Sequence, residues 1–324
     1  MTPSAPTISR SVTLNFNGDW GYANFHRICA WLTQEFCDRA GPRSRTAIWS
    51  LRGGGSEPLY LLNDGELDLC IATPTMMLPD ALAGKGMFAG TPMPELRALA
   101  TIPQNDRMVF AIDPKFGIST FEELRAKKPA LRIAASIDDG SNFIGYASRR
   151  MMEAHGLDEA TLLSWGCEYV VDNRPDDSLA RMRDGEVDAI VQEAIMMPWW
   201  RAVIDTRNAI PLPAESAALC TLEKDYGYRR NSLPAGFFST LKDEIPTLDF
   251  SDFAILVRSD LPDDIAYLLT WCLVETRGAL EAQYRHVPSD RSPVNYPIEP
   301  KKMAMTSIPL HPAAKRFYEE GGYL

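Results

Sequence analysis

The sequence predicts an α/β protein of two lobes with mostly parallel sheets, and three observations carry that prediction. The first is a quasi-repeat: Asn63-Asp64-Gly65-Glu66-Leu67-Asp68-Leu69-Cys70-Ile71 reads almost like Arg183-Asp184-Gly185-Glu186-Val187-Asp188-Ala189-Ile190-Val191. The second is a recurring junction. Val12-Thr13-Leu14-Asn15-Phe16 runs through Asn17-Gly18-Asp19-Trp20-Gly21 into a helical pattern, and Leu131-Arg132-Ile133-Ala134-Ala135 runs through Asp138-Asp139-Gly140-Ser141 into another. The third is a pair of apolar runs of strand length, Met108-Val109-Phe110-Ala111-Ile112 and Phe253-Ala254-Ile255-Leu256-Val257, which bracket the second half of the repeat.

Each element follows from local chemistry. The repeat copies trail helical patterns (Glu57 to Leu62 and Asp177 to Met182), stop at a glycine suited to a helix C-cap, and enter short apolar strands. After the junctions, Phe25, Ile28, Cys29 and Leu32 share one helical face, and Phe143, Tyr146 and Met151 share another on a helix from Asn142 to His155. Strands alternating with helices imply parallel sheets covered on both faces. With the two apolar runs as crossing strands, residues 1–106 and 253–324 form lobe one and residues 107–252 form lobe two, a clamshell with an interlobe cleft.

Composition narrows the function. The chain has 324 residues, 45% of them hydrophobic and 23% charged, which is ordinary globular composition and excludes disorder, collagen and coiled coil. Its 33 basic and 43 acidic residues give a net charge of -10 without any basic run, which argues against nucleic acid as a partner. No stretch approaches the roughly 20 apolar residues of a membrane helix, so no membrane insertion is expected. The start, Met1 to Arg10, lacks the basic and apolar regions of a secretory signal, and the reading expects a cytoplasmic chain. The cysteines show no CxxC spacing, and Cys29, Cys70 and Cys272 sit in apolar contexts typical of buried thiols.

Three glycine loops precede helices: Asn17 to Gly21, Arg52-Gly53-Gly54-Gly55-Ser56-Glu57, and Asp139-Gly140-Ser141-Asn142. Such openings present unpaired N–H groups and partial positive charge, which suits a carboxylate at the C-terminal ends of the strands. None carries a nucleotide fingerprint. Aromatic residues crowd these regions: Trp20, Tyr22 and Phe25 after the first loop, and Trp199 and Trp200 after the second repeat copy, where a flat ligand would stack. Polar groups follow the repeat strands, namely Thr73 and Thr75 in one lobe and Gln192 and Glu193 in the other. His26 sits close enough to Asp19 in sequence to form an acid/base pair, and His155 at a helix end suits the dipole. The four histidines and six cysteines have no metal-ligand spacing, so neither metal nor cofactor is expected.

Taken together, Asn17-Gly18-Asp19-Trp20-Gly21-Tyr22, Gly54-Gly55-Ser56, Asn63 to Asp68, Gly185 to Asp188 and the tail Ile308-Pro309-Leu310-His311-Pro312-Ala313-Ala314-Lys315-Arg316-Phe317-Tyr318 resemble the TAXI family of TRAP-transporter solute receptors, on a type II periplasmic-binding-protein fold. The resemblance spans nearly the whole chain, and the tail is its most specific piece. It implies a small carboxylate held between the lobes by Trp20, Tyr22, Ser56, Thr73, Ser141, Asn142 and Gln192, with TRAP membrane subunits as partners. The chain departs from the family in the absence of an export signal and in Asp19-Trp20, which narrows one wall and adds a carboxylate.

Two readings follow. The first is a cytoplasmic, cofactor-independent decarboxylase acting on an aromatic carboxylic acid. In it His26 or Asp19, with Glu193 in reserve, protonates the carbanion, Arg52 or Arg107 holds the anionic group, and Trp199 stacks on the ligand. The second is a receptor that captures an organic acid without chemistry for a TRAP membrane partner, and a third, blander reading is a cytoplasmic ligand sensor. The missing signal tips the sequence reading narrowly toward the enzyme.

Overall fold

The computed structural model describes residues 5–18, 24–51 and 55–324, and the chain divides into two units, Met1–Asn105 with Ser251–Leu324, and Asp106–Phe250. Unit one begins β1 (Thr13–Gly18), α1 (Asn24–Cys37), β2 (Arg45–Ser50), α2 (Glu57–Asn63), β3 (Cys70–Ala72), α3 (Leu78–Ala83) and β4 (Leu96–Ile102). Unit two runs β5 (Arg107–Ile112), α4 (Phe121–Lys127), β6 (Arg132–Ser136), α5 (Phe143–Ala154), α6 (Glu159–Ser164), β7 (Glu168–Asp172), α7 (Pro175–Asp184) and β8 (Ala189–Gln192). It ends with α8 (Pro198–Arg207), β9 (Ile210–Pro211), α9 (Ser216–Tyr226), β10 (Arg230–Leu233) and β11 (Ile245–Asp249). The chain then returns to unit one as β12 (Phe253–Arg258), α10 (Asp263–Glu275), α11 (Arg277–Ala282), α12 (Pro300–Met303) and α13 (Pro312–Glu320).

Unit two is built on a mixed sheet, and unit one on a parallel pair and a three-stranded antiparallel sheet. In unit two β7, β6 and β8 are parallel neighbours, but β5 runs antiparallel to β8, β9 and β11. In unit one β1 pairs β2 in parallel, while β12 lies antiparallel between β3 and β4. The apolar runs expected to cross between lobes therefore each lie wholly within one sheet. All six residues of β5 are buried, as expected of a strand covered on both faces.

The repeat is structural. Gly65 (φ 78°) and Gly185 (φ 77°) both sit in the left-handed region where glycine carries no steric penalty, just after α2 and α7. Asp68 Oδ2 accepts from the backbone N–H of Asn15 at 2.7 Å, and Asp188 Oδ2 accepts from that of Arg132 at 3.0 Å. Each aspartate thus fastens its turn to the neighbouring parallel strand. The tail has an equally local cause: Leu310 bridges Ala98 of β4, and His311 Nδ1 caps α13 by accepting from the Ala313 N–H at 3.2 Å, with Pro312 in the first turn.

Candidate functional site

The C-terminal ends of β6 and β8 gather the densest polar group in unit two. Gln192 closes β8 and is fully buried; its Nε2 donates to Ser136 Oγ at the end of β6 at 3.0 Å, and its Oε1 accepts from the Glu193 N–H at 3.0 Å. Glu193 hydrogen-bonds Asp106, whose carboxylate also accepts from the N–H groups of Arg107 (2.6 Å), Ala194 (3.1 Å) and Ile195 (3.1 Å). Burial pushes the Glu193 carboxyl well above the ordinary carboxylate range, and the neighbouring Asp106 charge adds to the effect. Burial raises Asp106 as well, against the opposing pull of Glu193 and the three N–H groups. Both carboxyls are thus pushed toward the protonated form, Glu193 more strongly, because Asp106 already accepts three N–H donors. The loop is held further by Ala194 at φ 64°, a strained conformation for a residue with a Cβ, and by the Trp200 indole, which donates to the Glu193 carbonyl at 2.5 Å.

The other expected residues of this unit stand nearby in less available states. Arg107 is buried, with Nε on the Ser232 carbonyl at 3.1 Å, Nη1 on the Asp106 carbonyl at 2.5 Å, and Asp249 at 3.6 Å. Asn142 caps α5, its Oδ1 accepting from Ile144 (3.0 Å) and Gly145 (3.2 Å) while its Nδ2 donates to the Asn173 carbonyl. Ser141 is exposed, and both its N–H and its hydroxyl donate to Asp139 Oδ1. Trp199 is half-buried against the unit's core, beside the fully buried Trp200, which stacks on Phe238 at 5.8 Å. His155, expected to complement the helix dipole as a cation, is instead buried and neutral. Its Nε2 accepts from the Glu215 N–H at 3.0 Å, its Nδ1 pairs the Met151 carbonyl at 2.7 Å, and burial lowers its pKa.

In unit one, His26 of α1 lies directly over Gly18, the last residue of β1, so that a Cβ at that position would meet Nδ1 at 2.2 Å. Asp19, Trp20, Tyr22 and Arg52 lie outside the described residues, and with them the expected Asp19–His26 pair. Ser56 is fully buried ahead of α2, next to Gly55, and a Cβ on Gly55 would meet the Thr73 carbonyl at 3.8 Å. The Thr73 hydroxyl donates to the Asp252 carbonyl at 3.2 Å and lies 3.4 Å from Gln104 Oε1. Gly55 and the Thr73 carbonyl therefore lie close in this unit, while Gln192 and Glu193 meet Ser136 and Asp106 in the other. Among the described residues, no three His, Cys, Asp or Glu side chains cluster to hold a metal ion, and no helix is long and apolar enough to cross a membrane.

Sequence reasoning missed Asp106, Ser136, Gly145 and Ala194. Asp106 carried a usable signal, since an acid directly before a fully apolar strand must find donors when that strand is buried. Gly145 is required because a Cβ there would stand 1.8 Å from the Ile137 carbonyl oxygen, and this close approach of α5 to the end of β6 has no signature in helical periodicity.

The fold has known relatives. PhnD1 from Prochlorococcus marinus (MIT 9301), solved in complex with methylphosphonate, superposes with a TM-score of 0.55 at 11% identity, covering 96% of this chain and 99% of that one. A structure described as a periplasmic transporter matches at 16% identity over 95% and 92% of the two chains (TM-score 0.48). A TctC solute-binding protein from Polaromonas matches at 12% identity over 88% and 90% (TM-score 0.48). The protein thus has the two-lobed α/β fold of periplasmic solute-binding proteins. Residues 40–322 match the model of the NMT1-like family, and to that family the chain belongs.

Proposed function

We propose that the protein is a solute-binding protein that captures a small organic anion and releases it chemically unchanged. Membership in the NMT1-like family, together with a solute-binding-protein fold along 96% of the chain, is the observation that carries this reading. The chemistry at the β6 and β8 strand ends agrees with it. Ser136 and Gln192 supply neutral hydrogen-bonding groups beside the N-terminus of α5, where the helix dipole favours an anion. Glu193, the reserve acid of the decarboxylase reading, is tied to Asp106 and held in a loop braced by Trp200. That reading finds no support at this site.

Within the receptor reading, a receptor of the TAXI kind serving TRAP membrane subunits is the finer proposal, supported by the tail motif at Leu310 to Ala314. The ligand class is a small carboxylate, with phosphonates included because PhnD1 was crystallised with one. A thermal-shift screen against dicarboxylates, amino acids, aromatic acids and alkylphosphonates tests the proposal, since a ligand at 100 times its Kd adds about 2.7 kcal/mol to the folded state. The expected outcome is a hit that mass spectrometry recovers unchanged, with affinity reduced about tenfold by Gln192→Ala, the effect of one lost hydrogen bond. A hit that loses roughly 44 mass units, one carboxyl as CO₂, would overturn it in favour of the lyase.

A further inference from the structure

His155 follows the last residue of α5 and is 2% exposed, and the partners of its two ring nitrogens fix its charge. Nδ1 lies 2.7 Å from the Met151 carbonyl, which can only accept, so Nδ1 carries the hydrogen. Nε2 lies 3.0 Å from the Glu215 N–H, which can only donate, so Nε2 is bare. The ring is therefore the neutral tautomer, stacked on Phe121 of α4 at 3.9 Å. Glu215 is the residue that opens α9, and its own side chain makes no capping bond there. The imidazole thus ties the entry of α9 to the exit of α5.

The charges that face the ring come from α4 and from the start of α9. Arg125 of α4 donates to the His155 carbonyl at 2.9 Å and grips the Glu215 carboxylate with both Nη atoms, at 2.9 and 2.7 Å. Burial, the largest influence, holds the ring below the ordinary histidine range; Arg125 acts the same way, and the Met151 carbonyl and the Glu215 charge act against it. A proton on Nε2 sets two donors face to face, strands the Glu215 N–H and places a second cation beside Arg125. The Glu215 carboxylate, the one counter-charge acting on the ring among the described residues, is already held by Arg125. Neutral His155 fits this setting, and charged His155 does not.

We propose that His155 is a proton-operated latch: neutral, it holds the first turn of α9 to the end of α5, and on protonation that turn comes free while the rest of unit two stays folded. The far end of α9 keeps its own anchors, since Leu222 is fully buried and Tyr228, just beyond the helix, packs edge-on against Phe143 at 6.0 Å. A released ring takes up its proton at the ordinary histidine value of about 6.5, and the closed ring only below it. The latch is therefore fully engaged above about pH 6.5 and weakens as pH falls from there toward the depressed folded value. It works whatever the β6 and β8 strand ends bind.

The test is hydrogen exchange at the Glu215 and Leu219 amides, resolved by NMR in the full chain and corrected for the intrinsic pH dependence of exchange. Leu219 is included because its N–H donates to the Glu215 carbonyl at 3.0 Å and opens with the same turn. Between about pH 7.5 and about pH 5 both amides should exchange up to about 30-fold faster, the excess of protonated over neutral imidazole at the lower pH for a group of value about 6.5, while amides of β6 hold their rates. His155→Gln keeps an acceptor for the Glu215 N–H that no proton can disable, and it should abolish the acceleration. Should that variant disturb folding, ¹⁵N-labelled histidine in the wild-type chain carries the test, the His155 ring being assigned through its contact with Phe121. Its Nε2 signal should then report protonation over the same pH range in which the two amides open. Unchanged exchange at about pH 5, acceleration that persists in His155→Gln, acceleration shared equally by β6, or a ring that titrates without opening the amides would each overturn the latch.

Discussion

The two Asp-Gly-Glu-x-Asp turns build the same backbone and sit in different electrostatic surroundings. In each, the glutamate N–H closes onto the preceding helix at 2.9 Å (Glu66 to Leu61, Glu186 to Arg181), and the final aspartate exchanges backbone and side-chain bonds with the neighbouring strand. Asp188 additionally meets Lys115 at 2.6 Å, whereas Asp68 lines a surface hollow with Asp64, Asp260 and Arg258, the last paired with Asp260 at 2.9 Å. The motif therefore fixes geometry, while the charges that differ between the two turns, Lys115 at one and Arg258 and Asp260 at the other, come from outside it. The strand-to-helix junctions teach the same lesson with respect to packing. In unit one the close approach is a strand glycine under a helix side chain, Gly18 beneath His26; in unit two it is a helix glycine against strand backbone, Gly145 against Ile137.

The junctions give the largest expected effect. Gly145→Ala forces a Cβ into a carbonyl that cannot rotate away, and it should cost about 3 kcal/mol or more in urea unfolding. Gly18→Ala meets an imidazole that can swing aside, so about 1 kcal/mol is expected. Equal costs at the two positions would break the comparison.

Next in size is the acid pair. Asp106→Ala strands three buried N–H groups and should destabilise by about 2–4 kcal/mol. Glu193→Gln keeps a donor toward Asp106 and should leave stability almost unchanged at about pH 4, where the wild-type carboxyl is largely protonated whether folded or unfolded. It acts on the pH profile instead. Because the folded pKa of Glu193 is raised, its contribution is fully present below the ordinary glutamate value of about 4.3 and is lost as pH rises through the folded value. Wild-type protein should therefore lose stability as pH rises from about 4.3 toward the folded value, over a limb that Glu193→Gln lacks, measured by urea midpoints from about pH 4 to about pH 10.

Much of this was legible in the sequence, and the reason differs by level. The α/β class and the repeat were readable because helix stops at Gly65 and Gly185 and the apolar strands after them are local signals. Sheet direction was not, since β5 and β12 have the same apolar pattern whichever way they run. Gln192 and Glu193 were found because polar residues ending a buried strand stand out, but Asp106 was not, because its partners Ala194 and Ile195 are 88 and 89 residues away. Asn142 shows the converse limit: its residue type suits both ligand and cap, and only the bonds to Ile144 and Gly145 reveal the cap.

The smallest expected effect separates the repeat aspartates themselves. Burial raises Asp68, only partly offset by the Asn15 N–H, whereas at Asp188 the same burial is outweighed by the Arg132 N–H, Lys115 and the Arg132 charge, and the net shift is downward. The signs therefore oppose. Asp188 contributes stability above the ordinary aspartate value of about 3.9 and loses it as pH falls through its depressed folded value, while the contribution of Asp68 is lost as pH rises through its elevated one. At pH 7, Asp188→Asn should cost about 1 kcal/mol, discounted because Lys115 is half exposed. Asp68→Asn, which can still offer an oxygen to Asn15, should be neutral or slightly stabilising. Urea midpoints for both variants at about pH 7 and about pH 3 check the pair: the Asp188→Asn deficit should shrink at the lower pH, below the unfolded aspartate value of about 3.9, and a deficit equal to that of Asp68→Asn would mean that the motif, not its neighbours, sets the charge energetics.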